Sequence, residues 1–163
     1  MSISTLATAA PLRPELGDFS SIVCFKAVVV GVEDALGEKA AAIALISAGR
    51  ARGRKVAEEL NLAGSKSSLD DITTLLNTTL GKDGSRLCII DKITEEDSVF
   101  KVFCRETVCS SGEAQGSSRC LTFTLGAIQG VLEQVTGKRL RGKQIESVLR
   151  GSTHDVVEFQ ILG

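Results

Sequence analysis

The hydrophobic period of this chain switches twice from helical to stranded, and that double switch constrains its fold more than any other feature. Buried residues of a helix recur at three and four, whereas those of a half-buried strand alternate. Over 15–36 the apolar positions Phe19, Ile22, Val23, Phe25, Val29, Val30, Val32 and Leu36 recur mostly at three and four, predicting a largely buried helix stopped by Gly37. A second helix is expected over 38–62, alanine-rich at first (AAAIALISAG) and charged at its end (RARGRKVAEEL), so that it should leave the core as it proceeds. Ser68 and Asp71 come close to a capping box for a helix over 69–80, which Gly81 ends. Two β-branched runs follow, 86–93 and 98–105, separated by the polar Thr94-Glu95-Glu96-Asp97 at hairpin spacing. A Gly/Ser-rich loop over 110–118 leads into a long apolar helix over 119–135 that stops at Gly137, and 141–150 with 156–162 make a second hairpin. The order α-α-α-β-β-α-β-β predicts an α+β fold, with helices packed on an antiparallel four-stranded sheet.

A chain of 163 residues that is 43% hydrophobic can bury one core, so a single domain over 15–163 is expected behind a flexible, proline-punctuated arm over 1–14. With 19 basic and 20 acidic residues there is no global field to draw nucleic acid, and the absence of Trp and Tyr removes most stacking platforms for bases. The opening MSISTLATAAPLRPEL has no basic start with a compact apolar run behind it, and no stretch has the ~18 uncharged apolar residues of a membrane span. A cytoplasmic protein is the expectation, and Cys24, Cys88, Cys104, Cys109 and Cys120 are then reduced thiols.

Few residues offer chemistry. His154, the only histidine, falls in the turn before the last strand and reads as an exposed turn residue. Gly81-Lys82-Asp83-Gly84 reads as a turn and not as a phosphate cradle. The basic clusters Arg50, Arg52, Arg54, Lys55 and Lys138, Arg139, Arg141, Lys143 read as solvated faces, the first offset by Glu58 and Glu59. Gly126 and Gly130 share one face of their helix and admit the close approach of another backbone or of a flat ligand. Phe103, Phe123 and Ile128 are expected to line the adjacent interior, as core or as pocket wall. Glu133 and Glu146 have no partner visible in the sequence; a buried one would have a raised pKa suited to proton transfer.

The stretch CLTFTLGAIQGVLEQVTGKRLRGKQIESVL, followed by VVEFQIL, resembles the closing signature of the 4-vinyl-reductase, or hydrocarbon-binding, domain family, and the resemblance covers 100–159. Cys120, Gly126, Gly130, Glu133, Gly137, Glu146, Glu158 and Phe159 stand at the places of that pattern. The helical front half fits the wider fold shared with haem-based nitric-oxide sensors and Golgi transport-particle subunits. Leu149 and Val157 stand where the family pattern has cysteines, so Cys104, Cys109 and Cys120 fall short of the four ligands of a structural zinc site. A turn histidine likewise differs from the helical axial ligand of a haem sensor.

The resemblance implies a non-enzymatic accessory protein that binds a small apolar ligand, a tetrapyrrole in the specific version, or docks a protein partner. Phe103, Cys120, Phe123, Gly126, Ile128, Gly130, Glu133 and Glu146 are the residues expected at that site. Photosystem assembly or chlorophyll metabolism is the implied setting, with a homodimer or a complex as the assembly and peripheral attachment to an internal membrane as an option. By analogy with the trafficking subunits Cys24 would be a lipidation point, although a buried thiol is the plainer expectation. The alternatives are a dimeric scaffold without ligand and a vinyl-group reductase component, the latter lacking any flavin or nicotinamide fingerprint.

Overall fold

The computed structural model describes residues 13–16 and 20–163, so most of the proposed arm lies outside the described residues. Four α-helices and a four-stranded antiparallel sheet occur in the expected order: α1 (Ile22–Leu36), α2 (Glu38–Glu59), α3 (Leu69–Leu80), β1 (Ile89–Glu96), β2 (Val99–Arg105), α4 (Phe123–Thr136), β3 (Leu140–Glu146) and β4 (Asp155–Ile161). A short 3-10 turn, Val148–Arg150, occupies what was expected as the end of the third strand.

The helix boundaries follow from local chemistry. The hydroxyl of Ser21 accepts the N–H of Val23 to open α1, and Gly37, at φ 78°, makes the single-residue corner between α1 and α2. Ser68 accepts the N–H of Asp71 at 3.1 Å and donates its hydroxyl to the Asp71 carboxylate at 2.7 Å, so α3 begins where the sequence placed it. The first hairpin turns on two residues, Asp97 and Ser98, both at positive φ (49° and 63°). Thr94, Glu95 and Glu96 therefore belong to β1 and not to the turn, because a two-residue turn of this hand matches the twist of the strands it joins.

The strands lie in the order β1-β2-β4-β3. Phe100, Val102 and Cys104 of β2 and Val157 and Phe159 of β4 point inward, and α4 fills the space between this inner face and α2. Every residue of α4 from Thr124 to Glu133 is buried. β1 is an edge, and Asn77 of α3 covers it by donating to the Ile90 carbonyl at 2.7 Å and accepting the Ile90 N–H at 2.9 Å. That side chain meets backbone groups an edge strand would otherwise leave open.

Two expectations about the helices are corrected. α1 is not largely buried: Val29 alone is fully enclosed, while Val23 and Val28 are 75% and 57% exposed. α2 does not leave the core as it proceeds, because Gly49, Gly53, Val56 and Ala57 are all buried toward its charged end. Glycine is the reason. A Cβ on Gly49 would lie 2.1 Å from the Phe123 carbonyl oxygen, and one on Gly53 would lie 1.9 Å from that of Ala127. From the other side, a Cβ on Gly126 would meet the Ile46 carbonyl oxygen at 2.1 Å and one on Gly130 that of Arg50 at 2.2 Å. Two glycine pairs, each four apart, thus let α2 and α4 cross backbone against backbone, which leaves the arginines of α2 to flank the contact.

Candidate functional site

An apolar concavity of about 510 Å³ lies where the start of α1, the N-terminus of α4 and the turn between α3 and β1 meet. Its floor is made by Ile22, Phe25, Leu80, Leu87 and Phe123. The rings of Phe25 and Phe123 meet edge to face with centroids 4.9 Å apart, a favourable aromatic geometry that fixes one wall. The rim is polar, with Ser20, Arg52, Asp83 and Ser85. Arg52 is tied to Glu59 by contacts of 3.1 to 3.3 Å, and both side chains are well exposed.

A second cleft of about 490 Å³ lies on another side of α1, bounded by α2, the loop ahead of α4, and β3. Its apolar base includes Ile46, Leu121 and Leu125, while Glu33, Asp34, Glu38, Arg119 and Lys143 charge its walls. An ion-pair chain ties α1 to this loop. Lys26 reaches the Glu113 carboxylate at 2.9 Å and the Cys109 carbonyl at 2.5 Å, and Arg119 bridges Glu113 to Glu33. Lys26 holds the carboxyl of Glu113 below the usual range, against a smaller opposing effect of burial.

The loop itself is anchored by Asp155, fully buried at the start of β4. Its carboxylate accepts from Thr107 (2.7 Å), Ser110 (2.9 Å), Gln144 (3.3 Å) and the N–H of Val148 (3.0 Å). Four neutral donors thus join the loop after β2, β3, β4 and the 3-10 turn around one carboxylate.

The residues singled out by sequence disperse. Phe123 lines the 510 Å³ groove and Cys120 the 490 Å³ cleft. Gly126 and Gly130 face the backbone of α2, so the close approach they permit is that of a helix. Ile128 is fully buried in the core. Phe103 does not point inward: in the β2 alternation it lies opposite to Val102 and Cys104, stacked edge to face on His154 and covered by Lys92.

Glu133 has a partner after all. Arg50 grips it with two contacts of 2.6 and 2.8 Å, and it also accepts the N–H of Leu140 at 2.9 Å. Burial acts to raise its pKa, but the Arg50 and Leu140 hydrogen bonds outweigh burial and hold the carboxyl below its ordinary value. The group is ionised, contrary to the raised value expected of a buried glutamate. Glu146 is exposed at the far end of β3, about 20 Å along the strand from the Leu140 end where Glu133 binds. The two carboxylates do not share a site.

The cysteines are also separated. Cys104 is buried beside Cys88, whose hydrogen bond, together with burial, raises the Cys104 thiol pKa. Cys109 is enclosed near Thr122 and Thr124, Cys120 is exposed, and Cys24 is exposed on α1 and not buried as expected. Among the described residues no group of three His, Cys, Asp or Glu side chains is placed to hold a metal ion. His154 donates or accepts at both ring nitrogens, 2.8 Å from Thr153 and 2.8 Å from Asp91.

Sequence reasoning missed Ile22, Phe25, Leu80, Leu87 and Arg52 as groove residues. Phe25, one of only six Phe, carried a signal; the others look like ordinary core or surface positions until the fold brings four segments together.

No protein-family model matches the chain, and no curated protein is significantly similar to it. Among solved structures, the phenol-responsive sensory domain of the transcription activator PoxR, crystallised with phenol, superposes with a TM-score of 0.65 at 16% identity, over 88% of this chain and 76% of that one. Trafficking protein particle complex subunit 3 from Naegleria fowleri, covalently bound to palmitic acid, superposes at 0.58 with 13% identity, over 87% and 93%. The chain shares their fold. At such identities the similarity establishes architecture alone. Among the described residues no helix is long and apolar enough to cross a membrane.

Proposed function

We propose that this protein is a non-enzymatic module that holds a small apolar molecule in the groove between α1, α4 and the α3–β1 turn. The observation that carries this reading is the groove itself, about 510 Å³ with an aliphatic and aromatic floor, inside the ~300–1,000 Å³ range of ligand pockets. Two structural neighbours of this fold hold apolar molecules of very different shape, phenol and palmitic acid, which supports a scaffold whose specificity lies in its lining. Titration with the neutral dye Nile red tests it. Fluorescence should rise saturably, and Ile22→Glu, which puts a charge in the groove wall at a half-buried position, should weaken binding by about tenfold or more. No saturable signal would remove the reading.

Within this reading, the resemblance of 100–159 to the 4-vinyl-reductase domain favours a tetrapyrrole as the ligand and photosystem assembly or chlorophyll metabolism as the setting. Absorbance titration with chlorophyll precursors and bilins separates the pigment version from the broader one, since an unchanged spectrum at saturating pigment would remove the former alone. Vinyl reduction gains no support from Glu133, which is ionised and gripped by Arg50.

A second reading, an interaction module, is favoured by a different observation. Val23, Val28, Leu36 and Ile43 are 56–75% exposed and lie on two consecutive helices. Pairing of that surface in a homodimer, or its docking on a larger complex or at a membrane surface, would cover it. Light scattering should then give a mass near twice 17.2 kDa for the homodimer.

A further inference from the structure

We infer that the ligand of the apolar groove is an amphiphile with an anionic head, a carboxylate seated on Arg52. This rests on the binding reading above and adds the chemistry of the head group. Arg52 stands on the groove rim, where the apolar floor of Phe25, Leu80 and Phe123 gives way to solvent. Its present partner is Glu59, two turns along the same helix, and their contacts of 3.1 to 3.3 Å are longer than the ~2.7–2.9 Å of a well-formed charged pair. An incoming carboxylate therefore exchanges one loose, solvent-screened partner for a bidentate one, at little cost. The opening turn of α1 adds a second attraction. Ser20 and Ile22 line the same groove, so the N-terminal end of α1 and its partial positive charge face the cavity, and that first turn carries no acidic residue to neutralise it. Asp83 and Ser85, on the turn after α3, form another part of the rim. Asp83 repels an anion there, which leaves the Arg52 side as the place for the head and gives the ligand one orientation: head toward α2, body on the aromatic wall.

The test uses three probes with one tail and different heads, namely dodecanoate, dodecanol and dodecylamine, each below its micellar concentration and competing with Nile red on the full chain. Dodecanoate should bind about tenfold more tightly than dodecanol, and dodecylamine no more tightly than the alcohol. Arg52→Gln should abolish the advantage of the acid over dodecanol, and Arg52→Lys should retain part of it. Arg52 is a surface position, so a thermal melt matching the parent establishes that both variants are folded. Equal affinity of acid and alcohol, or an advantage that survives in Arg52→Gln, would overturn the anionic head while leaving the apolar groove intact. Failure of all three probes to displace the dye would overturn the groove reading itself, and this inference with it.

Discussion

Glu133 shows how a residue can be visible in sequence while its partner is not. Its place in the apolar helix made burial predictable, and burial alone argues for a raised pKa. Its partner Arg50 lies 83 residues away in the chain, inside a charged run that looks solvated. Only the crossing of α2 and α4 brings the two together. Removing one member of a buried pair leaves the other uncompensated, so Arg50→Ala should cost about 3 kcal/mol in denaturant unfolding. The double variant Arg50→Met with Glu133→Leu should recover much of that loss. Asp91 offers a prediction in pH. Its hydrogen bond to Arg105, aided by His154 and opposed by burial, lowers its pKa to about 2. A depressed carboxylate pKa stabilises the fold above the unfolded value near 4 and loses that contribution as pH falls toward 2. Asp91→Asn should therefore cost about 1 kcal/mol at neutral pH, the exposure of the pair limiting the effect, and the difference between variant and parent should vanish in melts near pH 2.

At the scale of elements, the glycine spacing was the most legible feature, and also the one whose meaning was only half available. Gly126 and Gly130 signalled a close approach, but not of what. The answer lay in Gly49 and Gly53, spaced alike and camouflaged by Arg50, Arg52, Arg54 and Lys55. Mean polarity predicted that this half of α2 leaves the core, whereas a single glycine stripe among arginines suffices to bury one face. Gly53→Ala should cost about 3 kcal/mol or more, because its Cβ would stand 1.9 Å from a carbonyl oxygen of α4 and neither helix backbone can move independently. Gly31→Ala, in α1 with nothing within 4 Å, should stabilise by about 0.5–1 kcal/mol through helix propensity alone. Opposite signs for the same substitution would separate packing from propensity. The hairpins were readable because alternation is local, while the inward set of β2 was not: Phe103 and Phe100 differ by an odd step, and the sequence could not say that Phe100 was the inner one.

Over the whole molecule, stability is distributed unevenly, and α1 is the outlier. α4 is buried from Thr124 to Glu133, and α3 and the C-terminal half of α2 pack into the same core. α1 encloses only Val29 fully and depends on Lys26, Glu33 and their partners Glu113 and Arg119 on the loop. An element with few enclosed apolar residues opens at a small fraction of the global unfolding free energy. It also contributes Ile22 and Phe25 to the groove, so its opening exposes the candidate site. Hydrogen exchange followed by mass spectrometry should find the amides of α1 exchanging fastest among the four helices and those of α4 slowest. Raising salt from low to molar concentration should accelerate α1 only modestly, since its ion pairs are mostly buried and therefore weakly screened. The same measurement bears on assembly. If the exposed valines of α1 pair with a second copy, protection of α1 should rise with protein concentration, whereas a monomer that binds ligand should show protection rising with dodecanoate at fixed concentration. Protection of α1 equal to that of α4 at low concentration and without ligand would show that its attachment is stronger than one enclosed valine and a chain of ion pairs can supply.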